Sequence, residues 1–176
     1  MPDDPAATVT LLVLDVDGVL TDGLIHIDGR GVETKTFHTR DGLGLRLWQR
    51  LGGEVAIITG RAGMALQHRA DELRISHVHQ GVTSKVRAFG ELLNELSLTA
   101  SQAAVMGDDL PDLPMMNLAG YAIAVADAAE PVRKAASFVT IRPGGRGAVR
   151  EAVEHLLKAR DRWDEALALF EHPAPP

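Results

Sequence analysis

Residues 9–22 read VTLLVLDVDGVLTD, and this stretch decides the fold. Val9-Thr10-Leu11-Leu12-Val13-Leu14 is a short apolar run rich in branched residues, the pattern of a strand buried on both faces. It stops abruptly at Asp15-Val16-Asp17-Gly18, two carboxylates and a glycine where a parallel strand gives way to a loop. The same grammar recurs downstream. Val55-Ala56-Ile57-Ile58 runs into Thr59-Gly60-Arg61, and Ala103-Ala104-Val105-Met106 runs into Gly107-Asp108-Asp109-Leu110-Pro111-Asp112. Tyr121-Ala122-Ile123-Ala124-Val125 is a fourth such run. Helical periods lie between them: Leu43, Leu47, Trp48 and Leu51 share one face that Asp41 would cap, and Val86, Phe89, Leu92, Leu93 and Leu96 share another behind Thr83. Apolar strands alternating with crossover helices predict an α/β, doubly wound, Rossmann-like and mainly parallel sheet.

Two segments break the alternation. Residues 24–37, LIHIDGRGVETKTF, alternate with period two on either side of Asp28-Gly29-Arg30-Gly31, which predicts a β-hairpin outside the parallel sheet. Residues 147–171 carry Val149, Val153, Leu156, Trp163, Leu167 and Phe170 at steps of three and four, with Arg160 interrupting the stripe between Leu156 and Trp163, which predicts one long C-terminal helix. Residues 1–7 and 172–176 are poor in core formers and read as loose ends.

With 176 residues, 45% hydrophobic and 24% charged, the chain suits one soluble domain with a well-buried core. A net charge of −6 speaks against a nucleic-acid binder, and no apolar run is long enough to anchor in a membrane. The absence of cysteine excludes disulfides, zinc-thiolate sites and thiol catalysis. The acidic start MPDDPAATVT is unlike a signal peptide, so a cytoplasmic location is expected.

In a doubly wound sheet, chemistry sits at the carboxyl ends of the strands. Here those ends are crowded with acids. Carboxylates converging from two strand ends repel each other and call for a cation, and a hard one with oxygen ligands, Mg²⁺, leaves positions open for phosphate. His77 and His79, two apart on a short strand, lack zinc-site spacing. Arg40, Arg46, Arg61, Arg69 and Lys85 fall near the same edge and together offer positive charge for an anionic substrate.

The four ordered motifs LLVLDVDGVLTDG, IITGR, Lys85 at a helix head, and GDDLPDLP resemble those of the haloacid dehalogenase-like phosphatases. More narrowly, the hairpin, FHTRDGLGLRL and GGRGAVRE resemble the 3-deoxy-D-manno-octulosonate 8-phosphate (KDO 8-phosphate) phosphatases, over roughly residues 9–157. The resemblance implies Asp15 as nucleophile and Asp17 as general acid/base, kept protonated by anionic surroundings. It also implies Thr59 and Lys85 on the phosphoryl group. Mg²⁺ would be held by Asp15, the Asp17 carbonyl and Asp108, with Asp109 assisting, and the substrate by Asp17, His38, Thr39, Arg40, Asp41, Gly42, Arg46, Arg61, Arg69 and Lys85. His38 stands where the family pattern has Asn, and Ser84 where Asp is common.

These enzymes carry cap domains between their first and second or second and third motifs. Only 44 positions separate Asp15 from Thr59, and 26 separate Thr59 from Lys85, too few for a cap. An uncapped site needs another cover. A homo-oligomer, a tetramer by resemblance, with the 24–37 hairpin at its contacts would provide it. Gly144-Gly145-Arg146-Gly147 reads as a helix-entry turn. The competing functions are a phosphatase of a nine-carbon sialic-type acid 9-phosphate, a non-catalytic phosphatase-like oligomerisation module, and a phosphotransfer receiver domain. Intact Asp15, Asp17 and Lys85 speak against the module, the D-x-D-G-V pattern against the receiver, and Arg61 against the nine-carbon acid.

Overall fold

The computed structural model describes residues 4–171. In chain order the strands are β1 (Leu11–Leu14), β2 (His26–Ile27), β3 (Glu33–Thr34), β4 (Glu54–Ile58), β5 (His77–His79), β6 (Ala103–Gly107), β7 (Tyr121–Ala124) and β8 (Phe138–Val139). The helices are α1 (Thr39–Arg50), α2 (Met64–Glu72), α3 (Lys85–Glu95), α4 (Leu113–Met116), α5 (Glu130–Ala135), α6 (Ala148–Ala159) and α7 (Trp163–Glu171).

Six strands form one all-parallel sheet in the order β5-β4-β1-β6-β7-β8. The apolar run that opened the sequence lies at its centre, with Leu14 in register with Ile57 on one side and Met106 on the other. All four β1 side chains are fully buried because helices cover both faces. The chain leaves β1 for β4 on one side and reaches β6 on the other, so the strand order switches at β1. A crevice opens there at the carboxyl ends, and Asp15 stands in it.

Helix α6 packs on α1 through Val149, Ala152, Val153, Leu156 and Leu157, all fully buried. Trp48 of α1 is fully buried too, and its indole N–H donates to the Glu54 carbonyl at 2.8 Å. Helix α1 is not capped by Asp41 as expected. His38 takes that place, its Nδ1 accepting from the Arg40 N–H, because Asp41 lies already inside the first turn. Asp41 instead turns inward, 1% exposed, and caps a different helix: its Oδ2 accepts from the Gly147 N–H at 3.2 Å and its Oδ1 from the Arg150 N–H at 2.8 Å. Burial pushes its carboxyl up, and those amides oppose the shift. Helix α3 is capped by Ser84 rather than Thr83. Leu43, expected in the core face of α1, is exposed.

The expected long C-terminal helix is two. Asp161 adopts φ +55° between α6 and α7, which ends the first helix and restarts the chain at Trp163. At the other end, Pro5–Thr8 forms a 3₁₀ turn capped by Asp4 with Ala6 buried, so this part of the segment expected to be loose is structured. Residues 1–3 and 172–176, expected to be loose as well, lie outside the described residues.

The hairpin forms as expected, from strands of two residues each around a turn in which the Asp28 carboxylate accepts from the Arg30 and Val32 N–H groups. Leu24, Ile25, Ile27 and Val32 are all more than half exposed. No helix among the described residues is long and apolar enough to cross a membrane.

Candidate active site

Three strand ends, those of β1, β4 and β6, and the start of α3 meet in a cavity of about 400 Å³ lined by Asp15, Asp17, Thr59, Arg61, Lys85, Asp108, Asp109 and Asp112, among others. Asp15, the residue after β1, is 5% exposed, and its N–H donates to the Met106 carbonyl at 3.1 Å, which extends the sheet register into the loop. Thr59, directly after β4, is equally buried, and its N–H donates to the His79 carbonyl at 2.9 Å. Lys85 opens α3 and reaches back across the site, with Nζ 2.8 Å from Asp15 Oδ1 and 2.6 Å from Asp112 Oδ1.

Asp112 organises the floor of the cavity. It is 1% exposed, and while its Oδ1 takes Lys85, its Oδ2 accepts from the Asp108 and Asp109 N–H groups at 3.0 and 3.3 Å. The GDDLPD loop is thus wound around its own last carboxylate. Gly107 has to be glycine for this, since a Cβ there would fall 2.5 Å from the Asp112 Cβ.

Asp15, Asp108 and Asp112 each place one carboxylate oxygen within 4.8 Å of the others. The electrostatic result is severe. Asp108 is pushed up to about 8, chiefly by burial and then by the charges of Asp15 and Asp112, with Lys85 opposing. Asp15 is pushed up to about 6 by burial and by Asp112, again against Lys85. One lysine does not neutralise three carboxylates. Moreover, Asp15 Oδ1 is buried with no donor aligned to hydrogen-bond it, although Lys85 sits within ion-pair distance. A buried carboxylate oxygen paired with Lys85 but outside hydrogen-bond geometry, beside a second, electrostatically strained carboxyl, is a donor set that suits a hard divalent cation.

The loop after Asp17 is held from behind. Gly18 has φ +92°, and a Cβ there would overlap Asp108 Oδ2 at 2.0 Å. The glycine stretch before α6 packs against this loop: a Cβ on Gly144 would lie 1.7 Å from the Gly18 carbonyl oxygen, while the Gly145 N–H donates to the Val19 carbonyl at 2.9 Å. Asp41, by capping α6, anchors the other end of that stretch.

Known proteins are similar to this chain in sequence and in fold. A family model described as haloacid dehalogenase-like hydrolase matches residues 76–149. The 3-deoxy-D-manno-octulosonate 8-phosphate phosphatase KdsC of Escherichia coli (strain K12) is 46% identical over 161 residues, covering 92% of this chain and 86% of that protein. The chain belongs to the KDO 8-phosphate phosphatase family of haloacid dehalogenase-like hydrolases. Solved relatives share the fold throughout. The Moraxella catarrhalis phosphatase, in complex with magnesium ion, phosphate ion and KDO, has a TM-score of 0.92 at 42% identity and covers 94% of this chain and 95% of its own. The cobalt-bound enzyme from Haemophilus influenzae has a TM-score of 0.90 at 36% identity, covering 96% of each chain.

Within this KDO 8-phosphate phosphatase fold, the residues expected at the site separate into groups. Asp15, Asp17, Thr59, Arg61, Lys85, Asp108 and Asp109 line one cavity. Asp109, however, stands outside the three-carboxylate group: it is exposed, and its Oδ1 accepts from the Leu110 N–H at 2.8 Å, so it caps the turn that follows. Thr39, Gly42, Arg46 and Arg69 line a different cavity of about 270 Å³ between α1 and α2. Arg40 lines a third of about 420 Å³, shared with Arg142 and Arg150. His38 and Asp41 serve as helix caps.

The anionic surroundings expected for Asp17 are not what its side chain meets. Lys35 donates to its Oδ1, and Arg61 Nε lies 3.6 Å from its Oδ2. Lys35 and Asp112 received no role from the sequence. Asp112 was visible as the third acid of GDDLPD. Lys35 could have been found from the period of the extended chain that continues from β3, where Glu33, Lys35 and Phe37 alternate with exposed neighbours and so share the inward face.

Proposed function

We propose that this chain is a Mg²⁺-dependent phosphatase, acting as a single cytoplasmic domain, that hydrolyses KDO 8-phosphate to KDO and inorganic phosphate for lipopolysaccharide biosynthesis. The observation that carries the reading is the buried Asp15 beside Lys85, Asp108 and Asp112 at the switch point of the sheet. Family membership at 46% identity supports the substrate.

The residues divide the work. Lys85 and the Thr59 hydroxyl hold phosphoryl oxygens, while Asp15, Asp108 and the Asp17 carbonyl hold the metal. Bound there, Mg²⁺ neutralises charge on the phosphoryl oxygens and relieves the repulsion between the carboxylates. The Asp15 carboxylate attacks phosphorus in line, the bond from phosphorus to the sugar oxygen breaks, and Asp17 gives its proton to that departing oxygen. Water then attacks the aspartyl phosphate, Asp17 takes the water proton, and the bond between phosphorus and Asp15 breaks to release phosphate and restore the carboxylate.

The catalytic cavity opens to solvent, and Thr39, Arg40, Gly42, Arg46 and Arg69 lie apart from it. This supports an assembly, a homotetramer on family grounds, in which a second copy brings its α1 and α2 cations over the mouth of the first. The exposed apolar hairpin supports the same assembly, since a two-stranded hairpin is marginal alone in water. A phosphate-release screen over sugar phosphates, with Mg²⁺ present and after chelation, tests the activity. Light scattering of the active protein tests the assembly. No release from KDO 8-phosphate contradicts the first, and a fully active monomer contradicts the second.

A further inference from the structure

The hairpin is exposed along most of its length, yet one of its lysines is not. The Lys35 side chain is 6% exposed although it directly follows a strand of only two residues. Burying an ammonium is costly unless it is paired, and Lys35 is paired twice: with Asp17 Oδ1, and with Glu33 Oε1 at 2.9 Å. Arg61 mirrors it from the other side, bonded to Glu33 Oε2 and 3.6 Å from Asp17 Oδ2. The four groups form a closed square of alternating charge, in which Glu33 holds the two cations and the two cations flank Asp17. Both cations hold the Glu33 carboxyl below its usual range.

The square is asymmetric where it meets Asp17. Oδ1 accepts a hydrogen bond from Lys35, whereas Arg61 stands beyond hydrogen-bonding distance of Oδ2. Building on the phosphatase reading above, we infer that Lys35 is a positioning residue for the acid/base: it fixes the Asp17 side chain through Oδ1 and leaves Oδ2 as the oxygen that exchanges the proton with the leaving group and with water. Glu33 acts one step further out, holding Lys35 against Asp17. The hairpin therefore has a duty inside its own subunit's site as well as on the surface. Fixing a proton-transfer group in one rotamer raises the fraction of bound substrate that is correctly aligned, so its loss falls on kcat rather than on binding.

The test is steady-state kinetics on KDO 8-phosphate with Lys35→Met, Lys35→Arg, Glu33→Gln and Asp17→Asn, with thermal melting of each variant. Lys35→Met is expected to lower kcat by about 30-fold, short of the roughly 10²–10⁴-fold that general acid–base catalysis supplies because Asp17 itself is kept, with KM changed by less than about threefold. Lys35→Arg, which keeps the donor, restores at least about a third of the rate. Glu33→Gln, which keeps Lys35 in place of a disruptive change, loses about fivefold. Combined with Asp17→Asn, Lys35→Met adds no further loss, because its effect passes through Asp17. A loss confined to KM, full additivity with Asp17→Asn, or a Lys35→Met enzyme of wild-type kcat overturns the inference. If Lys35→Met does not fold, Glu33→Gln decides it by the same criteria. Wild-type protein that releases no phosphate overturns the phosphatase reading itself, an outcome separate from all of these.

Discussion

The nucleophile loop and the hairpin lie within twenty residues of each other, and they are stabilised in opposite ways. Asp15 follows a strand whose side chains are entirely buried, between two parallel neighbours in register, and its surroundings are complete within one chain. The hairpin has two residues per strand, four exposed aliphatic side chains, and a single inward-facing ion-pair cluster. The first region is rigid enough to hold carboxylates against their own repulsion. The second has little buried surface of its own, and it reaches the site through Glu33 and Lys35. A small capless hydrolase can thus keep its reacting groups on the sheet and leave coverage of the site to a surface element.

The largest effect that would break this comparison lies at Asp15. Asp15→Asn preserves volume and removes the nucleophile, so kcat is expected to fall by about 10⁴-fold or more, with the melting temperature unchanged or raised because one crowded charge is gone. Retained turnover in pure variant protein would remove the nucleophile assignment. At the hairpin, Ile25→Asp with Ile27→Asp is expected to shift light scattering to the monomer and lower kcat/KM by about 10- to 100-fold while the melting of the sheet domain persists. A monomer with wild-type kcat/KM would show that the hairpin does not serve the site through assembly.

Stability separates the two regions more gently. Leu14→Ala, in the middle of the sheet, is expected to cost about 2–5 kcal/mol in denaturant unfolding. Ile27→Ala on the exposed strand is expected to stay within about 0.5 kcal/mol, measured on monomeric protein. Equal costs would contradict the division into a buried core and an exposed arm.

The crowded carboxyls add a pH dependence whose sign follows from linkage. Asp15 and Asp108 are raised to about 6 and about 8 in the metal-free fold, so the folded state holds protons that the unfolded chain has released. Their contribution to stability is complete below pH of about 4 and is lost as pH rises through 6 and 8. Mg²⁺ must displace those protons, so the metal is expected to raise the melting temperature more at the alkaline end of this window than at the acid end. Differential scanning calorimetry with and without Mg²⁺ at both ends checks this, and a larger metal effect at the acid end contradicts it.

What could be read from the sequence follows the same division. Asp15, Thr59, Lys85 and Asp108 were legible because each stands at a strand end or helix start, where apolar periodicity itself marks the boundary. The parallel sheet was legible for the same reason. Asp41 was not, because its partners Gly147 and Arg150 lie more than a hundred positions away and no local pattern announces a helix capped from another helix. The break at Asp161 was marked only by Arg160 interrupting the apolar stripe, and because the stripe resumes in phase at Trp163 the pattern reads as one helix although the left-handed residue divides the backbone. The inward face of Lys35 was readable from the alternation of Glu33, Lys35 and Phe37, but its partner was not, since only tertiary folding brings it onto Asp17.

The central claim is the reaction and its substrate, and one measurement bears on it most directly: kcat/KM for phosphate release from KDO 8-phosphate and from a nine-carbon sialic-type acid 9-phosphate, each with Mg²⁺ and after chelation. The account predicts turnover that vanishes with the chelator and returns with the metal, and a preference for the eight-carbon substrate. Release that is indifferent to chelation contradicts the role given to Asp15 and Asp108. A preference of about tenfold or more for the nine-carbon substrate, a gap of about 1.4 kcal/mol in transition-state binding, contradicts the substrate assignment.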